Sequence, residues 1–193
     1  MKARIWAASA ALVTASLTAP VASAKDCRAS DKQVQLSQCT DQINTSVQRT
    51  DIGTGHLYRC QAYDLLGNYA EALADCIEAN RLMPEDGSVH NSMSIIFQNM
   101  GRHDQAVHAS VEAIDLNPDN GSYFNTRANA HCGAGNIEAS MDDRMSAANK
   151  GLYTLGRIQE ILKARGFYDG PVTAEFGAEA RAALEAWTRA GCR

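Results

Sequence analysis

The sequence predicts an all-α protein, a short solenoid of stacked helix-turn-helix pairs followed by a small two-helix module. Three observations carry this reading. LMPEDGS (82–88) and LNPDNGS (116–122) are the same stretch at an offset of 34 residues. That offset also carries Tyr63 to Phe97, Gly67 to Gly101, Ala72 to Ala106 and Ala79 to Ala113, and one step more reaches Gly135 and Ala147. Residues 152–193 leave the period but keep apolar stripes at helical spacing. A fixed period of this size marks stacked supersecondary units, none of which can bury its apolar face alone.

Residues 1–24 carry Lys2 and Arg4, then an apolar run without acids that closes on Ala22-Ser23-Ala24. This is the pattern of a secretory signal peptide with a small-residue cleavage site. The run is too diluted with Ser, Thr and Ala for a membrane anchor, and no later segment is apolar enough to span a bilayer. The expected mature chain starts near Lys25 and is periplasmic or secreted. Losing Lys2 and Arg4 takes the formal net charge from −4 to −6. No basic cluster remains to neutralise a phosphate backbone, which argues against a nucleic-acid partner.

Residues 25–52 read as an N-terminal helical segment from about Asp31 onward, a worn half-repeat. Three repeat units follow at 53–86, 87–120 and 121–151. In each, a Gly turn joins two helices whose alanines permit close approach, and in the first two a Pro ends the second helix. The third unit departs from the pattern: Ser140 replaces the first alanine, and Lys150-Gly151 stand where Leu-x-Pro would be.

All six cysteines fall in the expected mature part, which favours disulfides in an oxidising compartment. Buried free thiols in a helical core are the competing reading. Cys27 with Cys39 would tie down the N-terminus, and Cys60 with Cys76 would join the two helices of the first repeat. Cys132 and Cys192 then remain, a long closure from the third repeat to the chain end.

The 34-residue unit, with its order of Gly, aromatic, Ala and Pro, resembles the tetratricopeptide repeat (TPR). The resemblance implies a curved stack whose concave wall is lined by the first helix of each pair and docks peptides or partner proteins. Gln61, Asp64, Asn91, Gln98, Asn125 and Asn129 fall on that wall. Asn91 and Asn125 share one repeat position and would form a short amide ladder for a peptide backbone; a merely solvated face is the alternative. The lysines of the peptide-carboxylate clamp found in some relatives are absent.

In residues 152–193, Leu155, Ile158 and Leu162 form one stripe and Ala180, Leu184 and Trp187 another. Gly166 ends the first of these helices, and Asp169-Gly170-Pro171 forces a turn expected to present Phe167 and Tyr168. The run GFYDGPV, with Phe176, Gly177, Arg181, Ala183 and Trp187 behind it, resembles the peptidoglycan-binding domain appended to cell-wall hydrolases. Thr173-Ala174 stand where that family has Asp-Gly. The resemblance implies wall contact through Phe167, Tyr168, Asp169, Phe176, Arg181 and Trp187. A solenoid also needs a terminal cap, so capping of the third repeat is the alternative role.

Nothing in the chain reads as an enzyme. His131 and Cys132 are neighbours on a helix and diverge by about 100°, His103 and His108 are spaced wrongly for a helical metal pair, and Glu175 and Glu179 suit helix-start charges. No catalytic residue, metal ligand or cofactor motif is expected. The sequence therefore points to an exported, non-enzymatic scaffold of the cell envelope.

Overall fold

The computed structural model describes residues 27–191. The segment read as a signal peptide lies outside these residues, as does Cys192. The described residues form helices and turns, with no strand among them. The helices are α1 (Lys32–Thr45), α2 (Arg49–Leu65), α3 (Tyr69–Leu82), α4 (Gly87–Asn99), α5 (His103–Leu116), α6 (Gly121–Gly133), α7 (Ile137–Asn149), α8 (Leu155–Ala164) and α9 (Ala178–Arg189).

Local chemistry sets the starts and stops at regular intervals. The Asp86 carboxylate accepts from Ser88 N–H at the head of α4, and Asn120 accepts from Ser122 N–H at the head of α6. Each satisfies a donor that the first helical turn leaves without a partner. Gly67, Gly101 and Gly135, one repeat apart, take φ of 78°, 72° and 79°. This left-handed conformation turns the chain out of α2, α4 and α6, and the next N–H closes back onto Tyr63, Phe97 and His131 C=O.

The helices pack in chain order, α1 on α2, α2 on α3 and so on to α7. The first helices of the pairs also touch, α2 on α4 and α4 on α6, so they form one continuous wall. Ala72, Ala79, Ala106 and Ala113 are fully buried where the helices meet. Gly87 shows how tight the stack is: a Cβ there would lie 2.9 Å from Ala113 O and 3.0 Å from the Tyr123 ring. Ser140, at the departed alanine position, is buried because its hydroxyl donates to Ala128 O at 2.8 Å. α2 begins at Arg49, ahead of the repeat boundary expected at 53.

Cys27 is bonded to Cys39, and Cys60 to Cys76, with Cα atoms 4.7 and 5.4 Å apart. The first bridge fixes the chain entry against α1, and the second joins α2 to α3. The expected pairing of Cys132 with Cys192 involves a residue outside those described; buried Cys132 lies with its Sγ 3.8 Å from Thr188 O of α9.

Residues 152–191 fold over the last repeat, with α9 lying on α7. Ile158, Leu162, Tyr168, Leu184 and Trp187 form a core that Met141, Met145 and Ala148 of α7 complete. The turn does not present its aromatics as expected. Tyr168 is buried, its hydroxyl donating to Pro171 O at 2.9 Å, and Phe167 packs half-buried on the same core. A core this small draws its aromatic area from every available ring. No helix among the described residues is long and apolar enough to cross a membrane.

Candidate docking groove

The wall of first helices carries an open groove between α2 and α4, with a volume of about 280 Å³. Gln61, Asp64 and Asn91 line it together with Leu65, Ser92 and Ile95. Leu65 is 66% exposed and Ile95 38%, so the groove leaves two aliphatic side chains in water side by side. Gln61 Nε2 donates to Ser92 Oγ at 3.1 Å, and Asn99 Nδ2 donates to Asp64 Oδ1 at 2.8 Å. Asn91 differs from both: its Oδ1 is buried and has no hydrogen-bond partner. A buried acceptor without a donor costs about 1–3 kcal/mol.

Through Gln61 this groove adjoins a larger one of about 630 Å³ that runs under the N-terminal segment. Arg28 and Lys32 stand on one side of it, Asp86 and Ser88 on the other. The Arg28 guanidinium lies 4.2 Å from the Tyr58 ring centroid and also donates to the Tyr58 hydroxyl. Gln35 of α1 is buried with its Nε2 on Tyr58 O at 3.0 Å. With the Cys27–Cys39 bridge, these contacts hold the segment at the mouth.

The other expected wall residues are used differently. Gln98 Nε2 donates to Thr126 O at 3.2 Å and Ser94 Oγ at 3.3 Å, so its amide ties α4 to α6. Asn125 Oδ1 faces the Tyr153 hydroxyl at 3.5 Å, and Asn129 Oδ1 accepts from Arg144 Nη2 at 3.1 Å. Asn91 and Asn125 therefore make no common ladder. In the third repeat Asn125 thus meets Tyr153 of the covering segment and Asn129 meets Arg144 of α7, and the open groove lies in the first two repeats.

Sequence reading missed Leu65, Ile95, Arg28 and Lys32. Ile95 shares the repeat position of Gln61 and Asn129, so the period could have found it. Arg28 and Lys32 precede the repeats, and no periodic signal points to them.

Paired charges brace the wall from behind. The Arg59 guanidinium meets Asp75 of α3 through two bonds of 2.7 Å, and His56 Nδ1 lies 2.8 Å from the same carboxylate. Burial raises the Asp75 pKa, but the bonds from Arg59 and His56 outweigh it and hold the carboxyl below its ordinary value. In the third repeat Arg127 makes the same bidentate contact with Asp143 at 2.7 and 2.8 Å. The nearby His131 has its pKa pushed down by burial, against the pull of Asp143.

In the C-terminal segment, Asp169 and Arg181 are exposed and Phe176 is half-buried, whereas Trp187 is 8% exposed and sits in the core. Arg181 lines a cleft with Ile137, Glu138 and Met141 of α7, away from Asp169 and the turn. The expected wall-contact residues thus do not converge on one surface. Among the described residues, no group of three or more His, Cys, Asp or Glu could hold a metal ion.

Antiparallel helix pairs at a fixed period, glycine-terminated first helices and a continuous wall of those helices define a TPR-like helical solenoid. Among solved structures the chain is similar to MamA, with 16% sequence identity and a TM-score of 0.54, over 69% of this chain and 71% of that chain. At this identity the likeness concerns the fold alone. No protein-family model and no curated protein matches the sequence.

Proposed function

We propose that this protein is an exported, non-enzymatic scaffold that docks an extended segment of a partner protein along α2 and α4. The observation that carries the reading is the exposed pair Leu65 and Ile95 in a groove edged by the polar side chains of Gln61, Asp64 and Asn91. A peptide laid along the wall would set an apolar side chain on the aliphatic pair and its backbone beside the polar side chains of Gln61 and Asp64. It would thereby take exposed apolar surface out of water. The signal-like residues 1–24 and the two disulfides support export.

A photo-crosslinking residue in place of Ile95 tests the groove in the exported protein. A discrete higher-mass adduct is expected there, and none from the same residue at Ile77, exposed on α3. Adducts from both positions, or from neither, contradict the reading.

For residues 152–193 we favour the role of cap over that of wall-binding module, because Tyr168 and Trp187 are used in the core against α7. Sedimentation with purified cell-wall sacculi separates the two roles. The capping role expects the folded protein in the supernatant; co-sedimentation would assign peptidoglycan contact to this segment.

A further inference from the structure

The three repeats can be compared at two positions that face each other within each pair. In the first repeat they hold Arg59 and Asp75, and in the third Arg127 and Asp143. In the middle repeat the same positions hold Met93 on α4 and Ala109 on α5. The ion pair that twice closes the space between paired helices is therefore missing once, and an open groove of about 610 Å³ lies there. Met93, Phe97 and Ala109 form its apolar floor, and Asp104 and Glu112 stand exposed on its rim beside His108. Neither carboxylate is in an ion pair among the described residues. This groove is separate from the wall groove between α2 and α4 and shares no residue with it.

We infer that the groove between α4 and α5 is a second docking site, which takes an arginine side chain of a partner protein. The molecule itself shows what this space accepts. In the neighbouring repeats a guanidinium lies between the helices, partly buried at 19% and 22% side-chain exposure, and bonds a carboxylate. The Arg127 guanidinium also lies 5.6 Å from the Phe124 ring centroid, and Arg102 stacks on Phe97 at 4.9 Å beside the groove itself. An incoming arginine would lay its methylene stem on Met93 and Ala109 and carry its head to Asp104 or Glu112, as long cationic side chains do on apolar surfaces with an acidic rim. The flat, forked guanidinium suits that geometry better than an ammonium.

The test uses acetyl-arginine methylamide as the probe, titrated into the full mature chain and followed through backbone amide chemical shifts. Shifts confined to α4 and α5 are expected, with at least about tenfold weaker binding of the uncharged isostere acetyl-citrulline methylamide. The double variant D104N/E112Q should weaken the arginine probe to the same degree. M93R/A109D, which restores the pair of the neighbouring repeats, should abolish the shifts. Equal binding of arginine and citrulline, shifts elsewhere or nowhere, or full binding by M93R/A109D would each overturn the proposal. So would self-association that M93R/A109D removes in sedimentation, because the occupant would then be a second copy. If M93R/A109D does not fold, the exposed-residue variant D104N/E112Q decides.

Discussion

Arg144 is the most instructive single residue. It is 6% exposed, makes no ion pair among the described residues, and stacks 4.6 Å from the Trp187 ring centroid while its Nη2 donates to Asn129. Burial depresses its pKa. Its stem and plane hold α9 on α7, whereas its charge is a cost. Arg144→Met should therefore change the unfolding free energy by less than about 1 kcal/mol, and Arg144→Ala should lose about 2 kcal/mol or more, read from denaturant titration. Titration behaviour belongs to the same scale. Asp75 and His131 both have lowered folded-state pKa values, so each contributes stability that is lost on acidification. The His131 contribution is present above its ordinary value of 6.5 and fades as pH falls through the lower folded-state value. The Asp75 contribution is lost further down, below the ordinary carboxylate value of 3.8. His131→Asn should flatten the upper part of the stability-versus-pH curve and Asp75→Asn the acid end; an unchanged curve in both would refute these assignments.

At the scale of helices, the repeat lets one unit predict another. Cys60 and Cys76 bridge α2 to α3, and the corresponding positions of the next repeat are the fully buried Ser94 and Ser110, whose hydroxyls both donate to Ala106 O. The double variant S94C/S110C should form a new bridge on oxidation, visible as the loss of two hydrogens in intact mass, and stabilise by up to about 3 kcal/mol. Two persistent thiols after oxidation would contradict the equivalence of the units. Gly87→Ala should lose about 1–3 kcal/mol, because its Cβ must push against Ala113 O, a backbone atom that cannot rotate away. The helices were legible in the sequence for the same reason that these predictions transfer: Gly67, Gly101 and Gly135 recur where a left-handed residue is required, and the alanines recur where helices touch. The inward rotation of Tyr168 and the use of Asn125 and Asn129 were not legible. Tyr168 and Asn125 depend on which element covers the third repeat, and Asn129 on the arginine that replaces the cysteine of the first repeat at position 144 of α7; no local pattern encodes these partners.

At the scale of the whole molecule, residues 152–191 cover the last repeat, while the first two repeats carry an open groove along their wall. Trp187 is the keystone of the closed end, packed with Met141 and Met145 of α7. Trp187→Ala should cost about 3–5 kcal/mol and reduce hydrogen-exchange protection in α7 as well as α9; loss confined to α9 would mean that the segment does not cap the stack. The open groove between α2 and α4 carries the proposed function, and three of the six residues that the TPR resemblance implies for the wall line it. Gln61, Asp64 and Asn91 do share one groove, while the aliphatic pair and the N-terminal cations emerge only when the chain is folded. The most direct test is to select binding peptides from a random library on the mature protein and compare their affinities for three variants. Asn91→Leu and Ile95→Glu should each weaken the selected peptides at least about tenfold, and Val47→Glu, at an 88% exposed site outside the wall, should leave them unchanged. Peptides that bind the Asn91 and Ile95 variants as tightly as the parent protein would contradict the account.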